Sequence, residues 1–140
     1  MKRLPDQHST LTTVRGYELD SYGHVNNSVY LNYFEHARWT MFRDHELNHL
    51  VHESNFIIVV TDIHIRYMRE AKLYDEIEIL TRGVREEPYL IFKQKLLNRK
   101  TGMALARAET KTIFLDENRK PVDIPEAFRT IFSTSNSDRQ

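Results

Sequence analysis

The feature that most constrains the fold of this chain is a change of hydrophobic period at Phe56. Upstream, Tyr30, Tyr33, Phe34, Ala37 and Met41 recur at the spacing of one helical face, with Asn32, Glu35, His36, Arg43 and Asp44 around the rest of the cylinder. Downstream, the period falls to two. In FIIVVTDIHIRYM, Ile63, Ile65 and Tyr67 share a face opposite Asp62, His64 and Arg66, and the apolar front half reads as buried on both sides. EIEILTRGVR alternates in the same way, and YLIFKQKLLN and MALARAETKTIFL follow after short breaks rich in Pro, Gly and charge. Short turns force antiparallel neighbours. The pattern therefore predicts an α+β fold with one long helix packed on an antiparallel sheet, in the order strand, helix, four strands, short terminal helix. Ala104, Ala106 and Ala108 share one face of the last long strand, where small side chains let a helix approach.

The helix is predicted over 28–46, with Asn26 or Asn27 as its N-cap and Asn48 marking its end. Residues 10–19 read as a strand leading into Asp20. One domain is expected over 1–140, with 1–9 and 133–140 as flexible ends. Twenty basic and twenty acidic residues cancel, so a nucleic-acid surface or a polybasic membrane patch is not expected. There is no cysteine, which excludes a thiol nucleophile and a disulfide framework. No apolar run follows MKRLPDQHST, and Phe56 to Val60 is too short to span a bilayer, so a soluble cytoplasmic protein is expected. His45, His49 and His52 have spacings that could bind zinc on a continuous helix. With the helix ending near Asn48, they read instead as solvated histidines favoured by its dipole. No metal or cofactor is assigned.

The chemistry concentrates in Asp20 to Arg38, DSYGHVNNSVYLNYFEHAR. A carboxylate precedes a glycine turn, and the turn runs into a capped helix whose first amides carry partial positive charge. Those two groups are what acyl transfer needs: a base or nucleophile, and a donor for the developing oxyanion.

Asp20-x-x-Gly23-His24-Val25-Asn26-Asn27, followed by Tyr30, Tyr33, Phe34, Glu35 and Ala37-Arg38, resembles the hotdog-fold acyl-thioester hydrolases. The 4-hydroxybenzoyl-CoA thioesterase family and the plant acyl-ACP thioesterases are the nearest in motif. Tyr74-Asp75-Glu76-Ile77 and Pro121-Val122-Asp123-Ile124-Pro125 extend the likeness along nearly the whole chain. The resemblance implies a helix wrapped by a curved sheet, dimers joined sheet edge to sheet edge with active sites at the interface, and often tetramers. It implies Asp20 as general base or nucleophile, the backbone N–H of Asn27 as oxyanion donor, and His24 as a third catalytic residue. Where the plant enzymes carry an asparagine before that histidine, this chain has Tyr22. Tyr22, Tyr30, Phe34 and Phe56 are the expected lining of an acyl site. Arg82 and Arg85, with Lys93 and Lys95, are the candidates for clamping coenzyme A phosphates, although the adjoining hairpin reads Glu86-Glu87-Pro88-Tyr89. The implied function is hydrolysis of an acyl-CoA or acyl-ACP thioester. A hotdog dehydratase or hydratase, and a protein that binds acyl thioesters without cleaving them, are the alternatives.

Overall fold

The computed structural model describes residues 7–53 and 55–134. Strand β1 (His8–Thr13) leads through a single 3₁₀ turn at Gly16–Glu18 into helix α1 (Asn27–Asp44), followed by a short helix α2 (Asn48–Glu53). Four long strands come next: β2 (Ile57–Tyr67), β3 (Glu76–Glu86), β4 (Tyr89–Asn98) and β5 (Ala104–Leu115). The chain closes with β6 (Pro121–Val122), α3 (Glu126–Arg129) and β7 (Ser133–Thr134). The sheet runs β1-β3-β4-β5-β2, antiparallel throughout, with β6 added to β5 and β7 added parallel to β3. Among the described residues no helix is long and apolar enough to cross a membrane.

α1 begins where Asn26 caps it, its Oδ1 accepting from Ser28 N at 3.1 Å. The helix buries Tyr30, Tyr33, Phe34, Ala37 and Met41, the predicted stripe, together with Thr40 and Phe42. It lies in one apolar cluster with Ile77, Ile79, Leu96, Ala106 and Ala108, and its backbone comes closest to β3 and β1. A second cluster gathers Met41, Phe42, Phe92, Phe114, Phe128 and Phe132. A buried polar seam crosses the sheet between the two. Gln94 Nε2 donates to the Phe34 carbonyl at 2.9 Å and to Thr81 Oγ1 at 3.0 Å, and Arg38 Nη1 donates to Gln94 Oε1 at 3.2 Å.

Several expectations are corrected. The first strand stops at Thr13, because Val14 N turns to the Asp75 carbonyl and Glu18 folds back on Arg15. It also starts at His8, inside the segment expected to be loose, and Ser133–Thr134 pairs with β3. The rest of the ends expected to be flexible, 1–6 and 135–140, lies outside the described residues. α1 ends at Asp44 rather than 46, where Glu46 takes a positive φ of 58°, and a second helix follows Leu47 in place of a polar loop. The front half of β2 is not buried on both sides. β2 is an edge strand, and Ile57 and Val60 stay 42% and 49% exposed.

The loop from Glu18 to Asn26 is held by a buried carboxylate. Glu18 Oε1 accepts from Arg15 N at 2.8 Å and from the Tyr33 hydroxyl at 2.7 Å, while Oε2 takes Arg15 Nη2 at 3.2 Å. Its own carbonyl accepts from Asn26 N at 2.9 Å, closing the loop at the start of α1. Burial pushes the Glu18 carboxyl up, but the Arg15 backbone N–H, the Tyr33 hydroxyl and the Arg15 guanidinium together hold it below its ordinary value. Burial and that carboxylate push the Tyr33 phenol up.

Two outcomes follow. A carboxylate with a lowered folded pKa contributes stability above its unfolded pKa and loses it as pH falls through the folded value. Glu18→Gln should therefore cost roughly 1.5–3 kcal/mol at neutral pH. In urea unfolding, the gap from the native protein should narrow as the pH falls below about 4.5, the ordinary glutamate value. At Gly83, an added Cβ would lie 2.6 Å from the Phe132 ring, itself packed edge-on against Phe42 and Phe92. Gly83→Ala should destabilise by roughly 1–3 kcal/mol, and adding Phe132→Leu should return part of the loss in the same measurement.

Candidate active site

The segment between Glu18 and Asn26 folds as a miniature hairpin. Leu19 bridges Val25, Asp20 N donates to the His24 carbonyl at 2.8 Å, and Gly23 N donates back to the Asp20 carbonyl at 3.1 Å. Gly23 has φ +82°, a left-handed conformation that glycine adopts without strain, and this is why the turn carries one. Within the turn Asp20 Oδ1 accepts from Tyr22 N at 2.9 Å and from His24 N at 3.3 Å. Those two amides orient the carboxylate and leave Oδ2 with no hydrogen-bond partner among the described residues.

Asn27 opens α1, so its backbone N–H has no carbonyl of the helix behind it to bond. Its carbonyl is fixed from outside, by the Tyr67 hydroxyl at 2.9 Å. Tyr67 stands edge-on to Tyr30 at 5.2 Å, and the Tyr30 hydroxyl accepts from Ala71 N at 3.2 Å. Asp20, His24, Asn27, Tyr30, Tyr67 and Glu70 line one cavity of about 280 Å³. The cavity thus joins a carboxylate oxygen, an unpaired amide at a helix start and a phenol wall, an arrangement that can activate a nucleophile beside an oxyanion donor.

His24 bonds the Asp20 side chain through its backbone N–H, while its ring turns away, with Nε2 3.1 Å from Glu70 Oε2. Tyr22 is 84% exposed at the tip of the turn, and Phe34 is 1% exposed in the core, so neither lines this cavity. Phe34 shares the buried helical face with Tyr30, and the core takes that whole face. Phe56 lines a different cavity, farther along α1. Arg82, Lys93 and Lys95 border a hollow on the sheet face opposite α1, with Arg66 and Arg107. Arg85 is far from the turn, donating to the Phe132 carbonyl at 2.7 Å and pairing with Glu87 at 2.7 Å. That engagement with β7 and the β3–β4 hairpin makes it an anchor of the sheet.

Three participants escaped the sequence reading. Glu18 had no local signal, because its burial depends on Tyr33 fifteen residues later. Glu70 sits in a turn with no periodicity. Tyr67 did have a signal: it closes the apolar face of β2 with a polar tip, which marks an aromatic with a hydrogen bond to make.

The chain is similar to known proteins over most of its length. A family model described as the thioesterase-like superfamily matches residues 14–132. The long-chain acyl-CoA thioesterase FadM of Escherichia coli (strain K12) is 41% identical over 70 residues, which are 50% of this chain and 53% of that protein. The chain thus aligns with about half the length of that relative. The chloroplastic acyl-acyl carrier protein thioesterase ATL3 of Arabidopsis thaliana is 25% identical over 94% of this chain and 70% of its own length. Among solved structures, the YbaW probable thioesterase of Escherichia coli superposes with a TM-score of 0.80 at 30% identity, covering 86% of this chain and 92% of that one. With the fold, the turn and the family model in agreement, the chain belongs to the thioesterase-like superfamily.

Proposed function

We propose that this protein hydrolyses an acyl thioester of coenzyme A or of an acyl carrier protein to the free acid and the thiol. The observation that carries this reading is the pairing, in one cavity, of a carboxylate oxygen of Asp20 without a partner and the first N–H of α1. Asp20 acts on the thioester carbonyl through that oxygen, either by taking a proton from an attacking water or by attacking the carbon itself. The carbonyl oxygen gains negative charge as the bond forms, and the Asn27 N–H, backed by the helix dipole, stabilises it. The carbon–sulfur bond then breaks. In the general-base route Asp20 passes the proton it took from water to the leaving sulfur, and in the covalent route the thiolate leaves and takes its proton from solvent. In the covalent route a water hydrolyses the resulting anhydride and returns Asp20.

His24 and Glu70 border this cavity as a close pair, and Tyr67 steadies the start of α1 through the Asn27 carbonyl. The acyl chain lies along the groove between α1 and β2, where Leu31, Val60, Ile63 and Tyr67 are each at least 40% exposed. The unpaired outer edge of β2 supports a homodimer in which two sheets join through this strand, two dimers forming a tetramer in turn.

The test is thiol release from a panel of aliphatic and aromatic acyl-CoAs and acyl-ACPs. On the best substrate Asp20→Asn should lower kcat by about 10²- to 10⁴-fold, with circular dichroism unchanged. Turnover that survives the substitution would remove Asp20 from the mechanism.

A further inference from the structure

A second cavity, of about 300 Å³, lies between α1 and the front half of β2, and neither Asp20 nor Asn27 lines it. Its walls are mainly apolar, with Trp39, Phe42, Phe56, Ile58 and Phe92 prominent, yet two charged residues, Glu35 and Arg38, border it. Arg38 is half-buried. Its Nη1 donates to Gln94 Oε1 at 3.2 Å and to Thr110 Oγ1 at 3.3 Å, both neutral, and the guanidinium lies over Phe92 at 6.0 Å. A guanidinium has five N–H donors in a fixed fork. Nη1 supplies two of them, and Nε and Nη2 have no hydrogen-bond partner among the described residues. Burial lowers the pKa of the group, with the charge of Glu35 opposing that shift.

We propose that this cavity receives the far end of the acyl chain, and that Arg38 and Glu35 select a chain bearing a hydroxyl group there. The proposal rests on the thioester reading given above. A hydroxyl is the group that can accept from the Arg38 fork and donate to the Glu35 carboxylate at the same time. A carboxylate in that place would face the like charge of Glu35, and a bare methyl would leave the fork unmatched. The fold also sets the distance. Arg38 follows Asn27 by eleven positions along α1, about 16 Å at the helical rise. Helical side chains lean back toward the N-terminus. The hydroxyl therefore sits on the order of ten bonds from the thioester carbon. Leu31 of α1 and Ile63 of β2 are exposed apolar side chains at sequence positions between the residues lining the two cavities, and Val60 lines the second cavity itself.

Trp39 is the only tryptophan in the chain and borders the cavity, so its fluorescence reports occupancy without turnover. The test uses the Asp20→Asn protein titrated with decanoyl-CoA and with 10-hydroxydecanoyl-CoA. The hydroxylated chain should bind about tenfold more tightly, with a change in Trp39 emission. In the Asp20→Asn/Arg38→Met protein the ratio of the two dissociation constants should fall to about one. Equal binding of the two chains, or a preference that survives Arg38→Met, overturns the proposal. A positional scan in the Asp20→Asn background tests it even if the double variant does not fold. The preference must appear with the hydroxyl near the chain end, and a maximum at carbon 3 overturns it. Because the readout is binding, an absence of hydrolysis in the substrate panel and an absence of hydroxyl preference here are separate results.

Discussion

The close approach of α1 to the sheet is the contact on which the rest of this molecule depends. A helix bearing Tyr30, Tyr33 and Phe34 on one face lies over β3 and β1, where Ile77 and Ile79 meet that face, and Ala106 and Ala108 of β5 complete the cluster. Burial of that face, at roughly 25 cal/mol per Å² of apolar surface, fixes both the height and the direction of the helix. Its direction matters because the N-terminus then opens beside the end of β2, where Tyr67 can hold the Asn27 carbonyl.

The turn that carries Asp20 is secured by a different kind of force. A buried ion is costly unless every lone pair is used, and Glu18 meets that condition with a backbone amide, a guanidinium and a phenol. It ties the turn to α1 through Tyr33 and through the Asn26 amide, so the Asp20 carboxylate and the first N–H of α1 are held to one frame. Catalysis of this kind gains from donors that need no rearrangement as charge develops. The carboxylate that braces the turn, Glu18, is therefore separate from Asp20, the one proposed to act on the thioester.

Polar groups inside the core divide it into two apolar clusters. The seam of Thr81, Gln94, Thr110 and Arg38 lies between them, and Gln94 is bonded at both ends of its amide. Arg38 carries the seam outward to the second cavity, so a network that helps join helix to sheet also presents free donors to whatever enters. β2 contributes to both cavities, with Tyr67 at one end and Ile57, Ile58 and Val60 at the other. Its apolar inner row is covered by the helix only in part, which is why the groove between them stays open.

Periodicity alone determined the helix, the antiparallel strands and the alanine face, because side-chain spacing at 3.6 and at 2 follows from local backbone geometry. The motif from Asp20 to Asn27 likewise marked its two chemical groups, since a turn glycine, a cap and a carboxylate are neighbours in the chain. What lay beyond the sequence was every role set by a distant contact. Phe34 and Tyr30 belong to one stripe, yet only Tyr30 reaches the cavity, and Phe34 is taken by the core. Arg85 and Arg82 sit three residues apart on β3, so alternation puts them on opposite faces, but only packing gives Arg85 the Phe132 carbonyl. Glu18 is buried by a contact with Tyr33, fifteen residues along the chain. Tertiary structure decided these cases because burial and hydrogen-bond partners are properties of the packed layers, which local spacing cannot express.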